Sequence, residues 1–253
     1  MNRSRIVMLI VSLALSGSLP AVADPTSHAL EVTNDGTILF VDLDRSRILK
    51  LSGHQLSVYS ELEGVPEGDH LQNLVLTIGG ELYLGEKKSI WQIDANGSTA
   101  AAKPPKELKI LFAARPADLA PDGSVYVARD FRNINRYLPG GDAHPVLTTD
   151  NISKIHSLSV TPYGRVIFGN NTEVAKLNAE GEVNILVELE GQDVLGLAAI
   201  SESEVLLLRR SRDGDVFLEL IDAFGHTRQL LTPDQVASVS RDSVVTVDVE
   251  VTN

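Results

Sequence analysis

The sequence predicts an all-β protein, a β-propeller with six blade positions, in which five complete four-stranded repeats precede an incomplete last blade. The first observation behind this prediction is a repeated order of short apolar runs and turn residues. The second is its period of about 40–45 residues, which is typical of propeller blades. The repeat units along the 253-residue chain span residues 28–53, 72–97, 116–141, 156–181, 195–225 and 234–253.

Each unit has a turn at the same position, and this turn aligns the repeats. Four of the six turns carry glycine, which adopts a positive φ without steric cost. The turn positions, 39 to 44 residues apart, are Gly36, Gly80, Gly123, Gly164, Ser203 and Asp242. A β-sandwich would also contain many short strands, but it would not repeat one strand order around a turn at this period.

Four predicted strands, A to D, follow one another in a unit, and the first unit shows all of them. Strand A is a Leu-x-Val run at residues 30–32. Strand B at residues 38–41 is continuously apolar, as expected for a strand covered on both faces. Strand C at residues 48–51 alternates more, and strand D at residues 56–58 is the weakest, as expected for an outer edge.

The last unit is incomplete. It contains strand A, around residues 236–240, and strand B at residues 244–251, and there the sequence ends. Three alternatives remain: six blades with a thin last one, five blades with an appended hairpin, or a truncated chain. Six positions are favoured, and they would leave an open strand edge. Residues 234–253 are therefore predicted as a place where a partner adds a strand.

The N-terminus has the three parts of a secretory signal peptide in the expected order. Arg3 and Arg5 form a basic region, residues 6–15 are apolar, and Ala21-Val22-Ala23 provides a small-x-small cleavage site. The apolar run is short for the alternative, a membrane anchor. We therefore predict cleavage after Ala23, one propeller domain at residues 24–253, a periplasmic or secreted location and no membrane span after cleavage.

Composition excludes several functions. The net charge of −12 would repel a phosphate backbone, so nucleic acid is not an expected partner. The chain has no cysteine, which excludes thiol catalysis and cysteine-ligated zinc and suits a bacterial periplasm. The sequence motifs of serine hydrolases, P-loop nucleotide-binding proteins, zinc proteases and EF-hands are absent as well.

Candidate site residues lie at the starts of the A strands, which ring one mouth of a propeller channel. Polar groups that converge on a concavity are the usual sign of a binding site. The predicted ligand-binding set is His28, Gln72, Arg115, His156 and Asp234, with Leu195 at the equivalent place in the fifth unit. A second polar set follows strand B: Asp42, Glu86, Arg129, Asn170, Arg209 and Asp248. Because channel mouths are wet, both sets also fit a polar surface without a ligand.

Three of these side chains have a more specific interpretation. His28 and His156 could ligate a metal or act as acid and base near neutral pH. Two histidines without a third ligand do not define a metal site, so no cofactor is predicted and a divalent cation stays an alternative. Asp42, with Asp44 and Arg47, is predicted to form an ion pair at a turn.

Two stretches resemble a known superfamily: VDLDRSRILKL at residues 41–51 and PADLAPDGSVYVARDFRNINRYLPGG at residues 116–141. They are similar to the NHL-repeat and SMP-30/gluconolactonase-like six-bladed propellers. The resemblance implies six blades. It also implies a function like that of calcium-dependent lactonases, streptogramin-lyase-like proteins or binding modules, among which the fold itself does not select.

The lactonase branch of that superfamily has a metal site that resembles Glu-Gly-Pro, Pro-Asn-Gly and a third acidic residue at three strand starts. A hard cation needs such convergent oxygen ligands. The matching places in this sequence hold Ser27-His28-Ala29, Lys154-Ile155-His156 and Val194-Leu195-Gly196. The metal ligands of the lactonases therefore do not carry over to this chain.

Three functional hypotheses follow from the sequence. The first is an exported binding or scaffold module that uses the channel mouth or the loops between blades. The alternative is a periplasmic hydrolase or lyase of the SMP-30/gluconolactonase or streptogramin-lyase kind, with a site rebuilt around His28, Arg115, His156 and Asp234. The third is a protein that recruits a partner strand at residues 234–253. The sequence leaves open whether the protein is an enzyme.

Overall fold

The described part of the chain forms a β-propeller of five blades around a central axis, which confirms the predicted fold class. The computed structural model describes residues 29–43, 45–65, 73–86, 89–104, 108–113, 116–130, 132–148, 154–178, 180–190 and 192–247. The predicted signal peptide at residues 1–23 lies outside these ranges. Within them, neither helix has the length needed to cross a membrane.

Each blade is an antiparallel meander whose strands run in chain order from the axis outward. Blade 1 contains β1 (Leu30–Val32), β2 (Ile38–Asp42), β3 (Arg47–Ser52) and β4 (Gln55–Ser60). Blade 2 contains β5 (Asn73–Leu76), β6 (Leu82–Glu86), β7 (Ser89–Ile93) and β8 (Thr99–Ala101). Blade 3 contains β9 (Ala117–Leu119), β10 (Val125–Arg129), β11 (Asn133–Tyr137) and β12 (Ala143–Leu147).

The last two blades follow the same plan. Blade 4 contains β13 (Ser157–Val160), β14 (Val166–Gly169), β15 (Glu173–Leu177) and β16 (Val183–Glu188). Blade 5 contains β17 (Asp193–Ala199), β18 (Val205–Arg210), β19 (Val216–Ile221) and β20 (Thr227–Leu231). The turn between the first two strands of a blade, here called the A–B turn, is where the repeated glycine was predicted. Gly36 and Gly164 occupy it with φ of 81° and 82°, as the turn requires.

The predicted sixth blade position is wrong. The segment predicted as its strand A forms the helix α2 (Pro233–Ser238), and the next segment forms β21 (Val244–Thr246). β21 pairs antiparallel with β4, so blade 1 has a fifth, outermost strand. The arrangement is close to the five-bladed alternative. It places β21 over part of the β4 edge, and strand addition by a partner stays a prediction.

Local capping chemistry explains why α2 replaces a strand. The Thr232 hydroxyl accepts a hydrogen bond from the Gln235 backbone at 3.2 Å, and the Gln235 side chain accepts one from the Thr232 backbone at 2.8 Å. This reciprocal capping box, followed by Pro233 at the first helical position, is a strong helix-start signal. It overrides the weak strand pattern of the last repeat.

Three of the five joints between neighbouring blades are tight, and we call them the tight joints: blades 1 and 2, 3 and 4, and 4 and 5. In each, a glycine of the turn between the third and fourth strands meets the outer strand of the preceding blade. A Cβ on Gly97 would lie 1.9 Å from the Tyr59 carbonyl oxygen. One on Gly225 would lie 2.0 Å from that of Leu186, and Gly181 faces the carbonyl of Val146.

The other two joints, between blades 2 and 3 and between blades 5 and 1, contain a helix, and we call them the helix-filled joints. The helix α1 (Lys109–Ala113) packs between blades 2 and 3, where Leu111 and Phe112 are buried against Val75 and Val125. α2 leads from blade 5 back to blade 1, and Val236 joins the same core cluster as Leu30. Both helices follow the outer strand of a blade, so they lie at the end of the ring where the inner strands start.

An arginine clamp holds α2 on blade 1. The Arg47 guanidinium donates to the carbonyl oxygens of Val239 at 2.7 Å and Val236 at 3.2 Å. It also pairs with the Asp42 carboxylate at 2.9 Å, and both side chains are buried. Arg45 adds a bond to the Ala237 carbonyl at 2.7 Å from an exposed position. The predicted ion pair between Asp42 and Arg47 is thus confirmed, whereas Asp44, which was predicted with them, lies outside the described residues.

Candidate functional site

An axial cavity of about 520 Å³ opens at the end of the ring where the A–B turns lie, opposite to the strand starts. All five inner strands, or the turns that follow them, contribute to its wall. Its polar lining residues include Glu31, Thr33, Asn34, Thr77, Asp118 and Ser159. Its apolar lining residues include Val32, Leu76, Ile78, Leu119, Pro121, Val160, Pro162, Ala198 and Ile200. The cavity is therefore a concave site of mixed polarity on the propeller axis.

The side chain in the middle of each inner strand determines whether a blade accepts hydrogen bonds from the backbone of the next blade. The inner strand of each blade is an edge strand, so alternate N–H groups have no ladder partner within the blade. Glu31 accepts a hydrogen bond from the Leu76 N–H at 3.0 Å, and Asp118 accepts one from the Val160 N–H at 2.7 Å. Both carboxylates thus satisfy a backbone donor of the following blade.

The joint between blades 4 and 5 uses hydroxyls for the same purpose. Ser157 Oγ accepts a hydrogen bond from the Leu197 N–H, and Ser159 Oγ accepts one from the Ala199 N–H, both at 3.0 Å. All three tight joints therefore have a polar side chain from one inner strand on the backbone of the next. These bonds hold the inner strands in register around the cavity.

The helix-filled joints have apolar residues at the same strand position. Val75 packs into the cluster formed with α1, and Ala198 belongs to the cluster that contains Val236. Gly196 lets blade 5 approach blade 1 closely, since a Cβ there would lie 2.8 Å from the Leu30 Cβ. In the described part of the lining, the carboxylates come from blades 1 and 3, which precede tight joints.

The open end of the cavity is strongly acidic. Among the described residues that line the cavity, Glu31 and Asp118 have charged side chains. The five A–B turns, at residues 33–37, 77–81, 120–124, 161–165 and 200–204, add five acidic side chains and one arginine. A hydrogen bond from the Thr33 hydroxyl lowers the pKa of the Asp35 carboxyl, and one from the Ser124 N–H lowers that of Asp122. These carboxylates are ionised at neutral pH.

The one arginine of these turns is already engaged. Arg165 pairs with the Glu202 carboxylate at 3.3 Å, and Lys176 approaches the same carboxylate at 3.5 Å. Burial raises the pKa of Glu202, but the Thr161 hydroxyl and the Lys176 charge outweigh it and hold this pKa below its ordinary value. Glu202 thus bridges the turn of blade 5 to blade 4 as an anion.

Only part of the predicted ligand-binding set lies in the described residues. His28, Gln72 and Arg115 fall outside them. His156 directly precedes β13, is 6% exposed, and donates its backbone N–H to the Gly169 carbonyl at 2.8 Å. Leu195 is buried in β17, and its carbonyl accepts from the Ala29 N–H at 3.3 Å. Asp234 lies in the first turn of α2 with an exposed side chain, not at the start of an inner strand.

The second predicted set consists of the polar residues that follow strand B. Of its described members, Asn170, Arg209 and Asp42 make hydrogen bonds or ion pairs close to their own strands. The Asn170 side chain is buried and accepts hydrogen bonds from the backbone of Thr172 and Glu173, which shapes a turn. Arg209 makes two 2.6 Å bonds to the Glu219 carboxylate. Arg129 ends β10 with an exposed side chain. Three members remain. Asp42 belongs to the arginine clamp described above, and the backbone of Glu86 ends β6. Asp248 lies outside the described residues.

The predicted mouth and the axial cavity are at opposite ends of the channel. Ala29, Asn73, His156 and Leu195, at the strand starts, are buried. The sequence did carry a signal for the open end, since the middle residue of the Leu-x-Val run varies between acidic, hydroxyl and apolar types. Within the described ranges, no three or more histidine, aspartate and glutamate side chains are grouped so that they could hold a metal ion.

Neither a protein-family model nor a curated protein matches the sequence. Similar solved structures include virginiamycin B lyase from Staphylococcus aureus, with 10% identity, coverage of 82% of this chain and 85% of the other, and a TM-score of 0.41. A gluconolactonase from Xanthomonas campestris is 10% identical, with coverage of 82% of this chain and 77% of the other, and a TM-score of 0.47. A protein described as a putative gluconolactonase is 16% identical, with coverage of 79% of this chain and 75% of the other, and a TM-score of 0.46. At these identities the likeness concerns the fold, and each activity belongs to the protein named.

Proposed function

We propose that the protein is an exported β-propeller that binds a small polar ligand in the axial cavity at the A–B turn end. The observation that carries the proposal is the pair of carboxylates, Glu31 and Asp118, in a cavity to which all five blades contribute. Export is proposed from the signal-peptide pattern of residues 1–23. A periplasmic or secreted location follows from the same pattern.

The chemistry of the cavity favours a ligand with a cationic hydrogen-bond donor. Glu31 accepts from the Leu76 N–H, and Asp118 accepts from the N–H groups of Leu119 and Val160. As carboxylates, both also attract a cationic donor by charge. Hydrogen bonds from an ammonium group to a carboxylate are stronger than neutral ones. Arg136 pairs with Asp122, and Arg165 and Lys176 pair with Glu202, so the negative charge that the turns add comes from Asp35, Glu81 and Glu204. This charge attracts such a ligand from solution.

The position of the two carboxylates is fixed before any ligand arrives. Each is anchored by an N–H group of the next blade, at 3.0 Å for Glu31 and 2.7 Å for Asp118. A pre-organised acceptor loses little conformational freedom on binding. The joint that holds the ring together therefore also prepares the binding site.

Amide NMR of ¹⁵N-labelled residues 24–253 tests this proposal with n-butylamine as the probe and n-butanol and butyrate as neutral and anionic controls. We expect n-butylamine to shift the amides of Leu76 and Val160 more than either control does. The Glu31→Gln/Asp118→Asn double variant should lose this response, while Asp213→Asn, a change at an exposed loop, should keep it. Equal shifts with all three probes, or an unchanged response in the double variant, would overturn the proposal.

A second candidate function uses the strand-start end of the channel. We propose as the alternative a hydrolase or lyase of the SMP-30/gluconolactonase or streptogramin-lyase kind. The observation in its favour is His156, a largely buried imidazole at the start of an inner strand, where it could act as acid or base near neutral pH. A divalent cation would be its cofactor.

Metal analysis and a lactone-hydrolysis assay test this alternative on the same protein. An enzyme of this kind predicts a stoichiometric divalent ion, a lower Tm in EDTA, and hydrolysis of δ-gluconolactone that His156→Gln reduces by about a hundredfold. A metal-free protein whose hydrolysis rate equals that of buffer would exclude this alternative. The axial-cavity proposal does not depend on either result.

A further inference from the structure

Blade 1 has a fifth strand, and its outer strand β4 shows what such a strand pairs with. β21 lies antiparallel to the start of β4, with Val245 opposite Leu56. The Val247 N–H extends this contact by donating to the His54 carbonyl at 2.8 Å. Leu56 is fully buried, and Val58 is partly buried against the same core cluster. The outer edge of a blade in this protein therefore accepts an additional antiparallel strand.

The outer strand of blade 4, β16, has the same irregularity as β4. In each strand one residue is bulged out of the pairing with the third strand of the blade, Tyr59 in β4 and Leu186 in β16. The carbonyl oxygen of each bulged residue meets the turn glycine of the following blade. The two strands can therefore be compared position by position, counting back from the bulge.

Two positions at the start of the outer strand, two residues apart and on one face of the sheet, distinguish blades 1 and 4. In blades 1 to 5 the first position holds Leu56, Thr99, Ala143, Val183 and Thr227. The second position holds Val58, Ala101, Pro145, Ile185 and Gln229. Blades 1 and 4 thus have a large apolar residue at both positions. In blade 1, β21 pairs with this part of the strand, whereas Val183 is 36% exposed and Ile185 54% exposed.

Three other outer strands carry a feature that hinders pairing with another chain, and β16 does not. β8 has three residues, β12 contains Pro145, and β20 contains Arg228. β16 has six residues, no proline, and no charged residue before Glu188. Among the described strands, none pairs with its outer edge. Because alternate N–H and C=O groups of an edge strand pair with an extended backbone, the occupant that fits β16 is an extended polypeptide segment.

Exposed glutamates flank this edge at both ends. Glu180 and Glu182 precede β16, Glu188 ends it, and Glu190 follows it. Glu188 also lies directly opposite Glu173 of β15, and like charges at opposite positions destabilise a sheet. The ion pairs of the described residues include none of these five carboxylates, and where two of them accept a side-chain hydrogen bond the donor is a neutral amide. The ends of the edge consequently favour a segment with basic residues.

We propose that β16 docks an extended segment of a partner protein, which adds to blade 4 as a fifth, antiparallel strand. The segment has β-branched residues beside Val183 and Ile185 and basic residues at its ends. A second copy of this chain does not fit, because its own β16 would bring glutamates against glutamates. Its β21 is flanked in the sequence by Asp242 and Asp248, which the same glutamates repel. The inference is independent of the axial cavity, since β16 lies at the opposite edge of the blade from the inner strand.

Isothermal titration calorimetry with defined peptides tests the proposal on residues 24–253. The probe is acetyl-Lys-Ser-Val-Val-Thr-Val-Lys-amide, which places residues 243–247 of this chain between two lysines, and the control peptide has aspartate in place of both lysines. We expect the lysine peptide to bind about tenfold more tightly than the aspartate peptide. Proline in place of the second valine removes a backbone donor and should weaken the lysine peptide about tenfold. Absence of binding, or a Kd that either change leaves as it is, would overturn the proposal.

Variants of β16 locate the site. Glu182→Lys/Glu188→Lys should weaken the lysine peptide about tenfold and strengthen the aspartate peptide by a similar factor, which a loss of folding would not produce. Ile185→Lys places a charge on the edge and should weaken the lysine peptide about tenfold. Val244→Lys is the matched control, since Val244 is 60% exposed on β21 of blade 1, and it should leave the Kd unchanged. An unchanged Kd in both β16 variants, or a loss of binding in Val244→Lys alone, would overturn the docking site.

Discussion

The tight joints and the helix-filled joints connect neighbouring blades through different contacts. In a tight joint, a polar side chain of one inner strand caps the backbone of the next, as Asp118 does for Val160. A turn glycine such as Gly97 then lets the outer parts of the two blades touch. In a helix-filled joint the inner position is apolar, as with Val75, and the corresponding turn glycine, Gly53 for blade 1, has nothing within 4 Å.

The difference lies in the middle of the inner strand. At the tight joints, Glu31, Asp118 and Ser159 each accept a hydrogen bond from the backbone of the next blade. At the joint between blades 5 and 1 the inner strands meet through their backbones instead, with the Ala29 N–H on the Leu195 carbonyl and Gly196 beside Leu30. The carboxylates of the described cavity lining therefore come from blades that precede tight joints.

The largest expected effect comes from breaking the clamp on the second helix-filled joint. Arg47→Ala removes the guanidinium that holds Val236 and Val239 and leaves the Asp42 carboxylate buried without its ion-pair partner. Loss of one member of a buried pair costs about 3–5 kcal/mol. We expect a decrease of that size in the free energy of unfolding, measured by urea denaturation.

Arg45→Ala is the control for the clamp, because Arg45 makes one bond to α2 from an exposed position. It should cost about 1 kcal/mol or less. Equal losses for the two variants would show that burial of the Arg47 pair does not hold the joint.

The next largest effect on the free energy of unfolding is expected at a turn glycine, where substitution by alanine should cost more in a tight joint than in a helix-filled joint. Gly97→Ala would add a Cβ at φ of 81° and 1.9 Å from the Tyr59 carbonyl oxygen, so the blades would have to move apart. Left-handed strain and overpacking together cost about 3 kcal/mol. Gly53→Ala has a positive φ but open space, so about 1 kcal/mol is expected. Urea denaturation that gives the same loss for both would contradict the contact at the tight joint.

A smaller effect is expected from one hydrogen bond within a tight joint. Ser159→Ala leaves the part-buried Ala199 N–H without its acceptor, which costs about 1 kcal/mol. Ser203→Ala, at an exposed turn, should change the free energy of unfolding by less than about 0.5 kcal/mol. The contribution of the serine cap would be refuted by equal, near-zero changes in the two variants.

The smallest effect is a pH dependence between blades 4 and 5. Because its pKa is lowered in the folded protein, Glu202 stabilises the fold above the pKa of the unfolded chain, about 4.3. This contribution is lost as pH falls through the lowered folded pKa. The difference in unfolding free energy between the wild type and Glu202→Gln should therefore shrink toward acid pH. Glu180→Gln, at an exposed turn, should show no such trend, and a flat difference for Glu202→Gln would contradict the bridge.

Much of the blade architecture could be predicted from the sequence, because short local patterns of turn residues and apolar runs specify the strands of each blade. The turn glycines Gly36 and Gly164 and the apolar B strands repeat at a regular period, so the sequence predicts the five complete blades. α1 has no sequence signature of this kind, because a five-residue helix is too short to show a 3.6-residue period. The repeat pattern predicts a strand where α2 forms, and the capping box at Thr232 is the competing local signal.

The candidate site was harder to predict than the fold. The sequence points to strand starts such as His156, because polar residues there ring one mouth of a propeller channel. The structure places the open cavity at the other end, lined by Glu31 and Asp118. Their identity was visible in the Leu-x-Val runs, but their role depends on which blades touch directly, and that is a property of the whole ring.

The most direct test of the axial-cavity account is the affinity of n-butylamine for the wild-type protein and for Glu31→Gln/Asp118→Asn. Each substitution keeps one acceptor oxygen for the backbone N–H of the next blade, although an asparagine at position 118 cannot accept from both Leu119 and Val160. Urea denaturation of the double variant measures what this exchange costs the joint. The account predicts a Kd about tenfold higher for the double variant. A Kd equal to that of the wild type would contradict it.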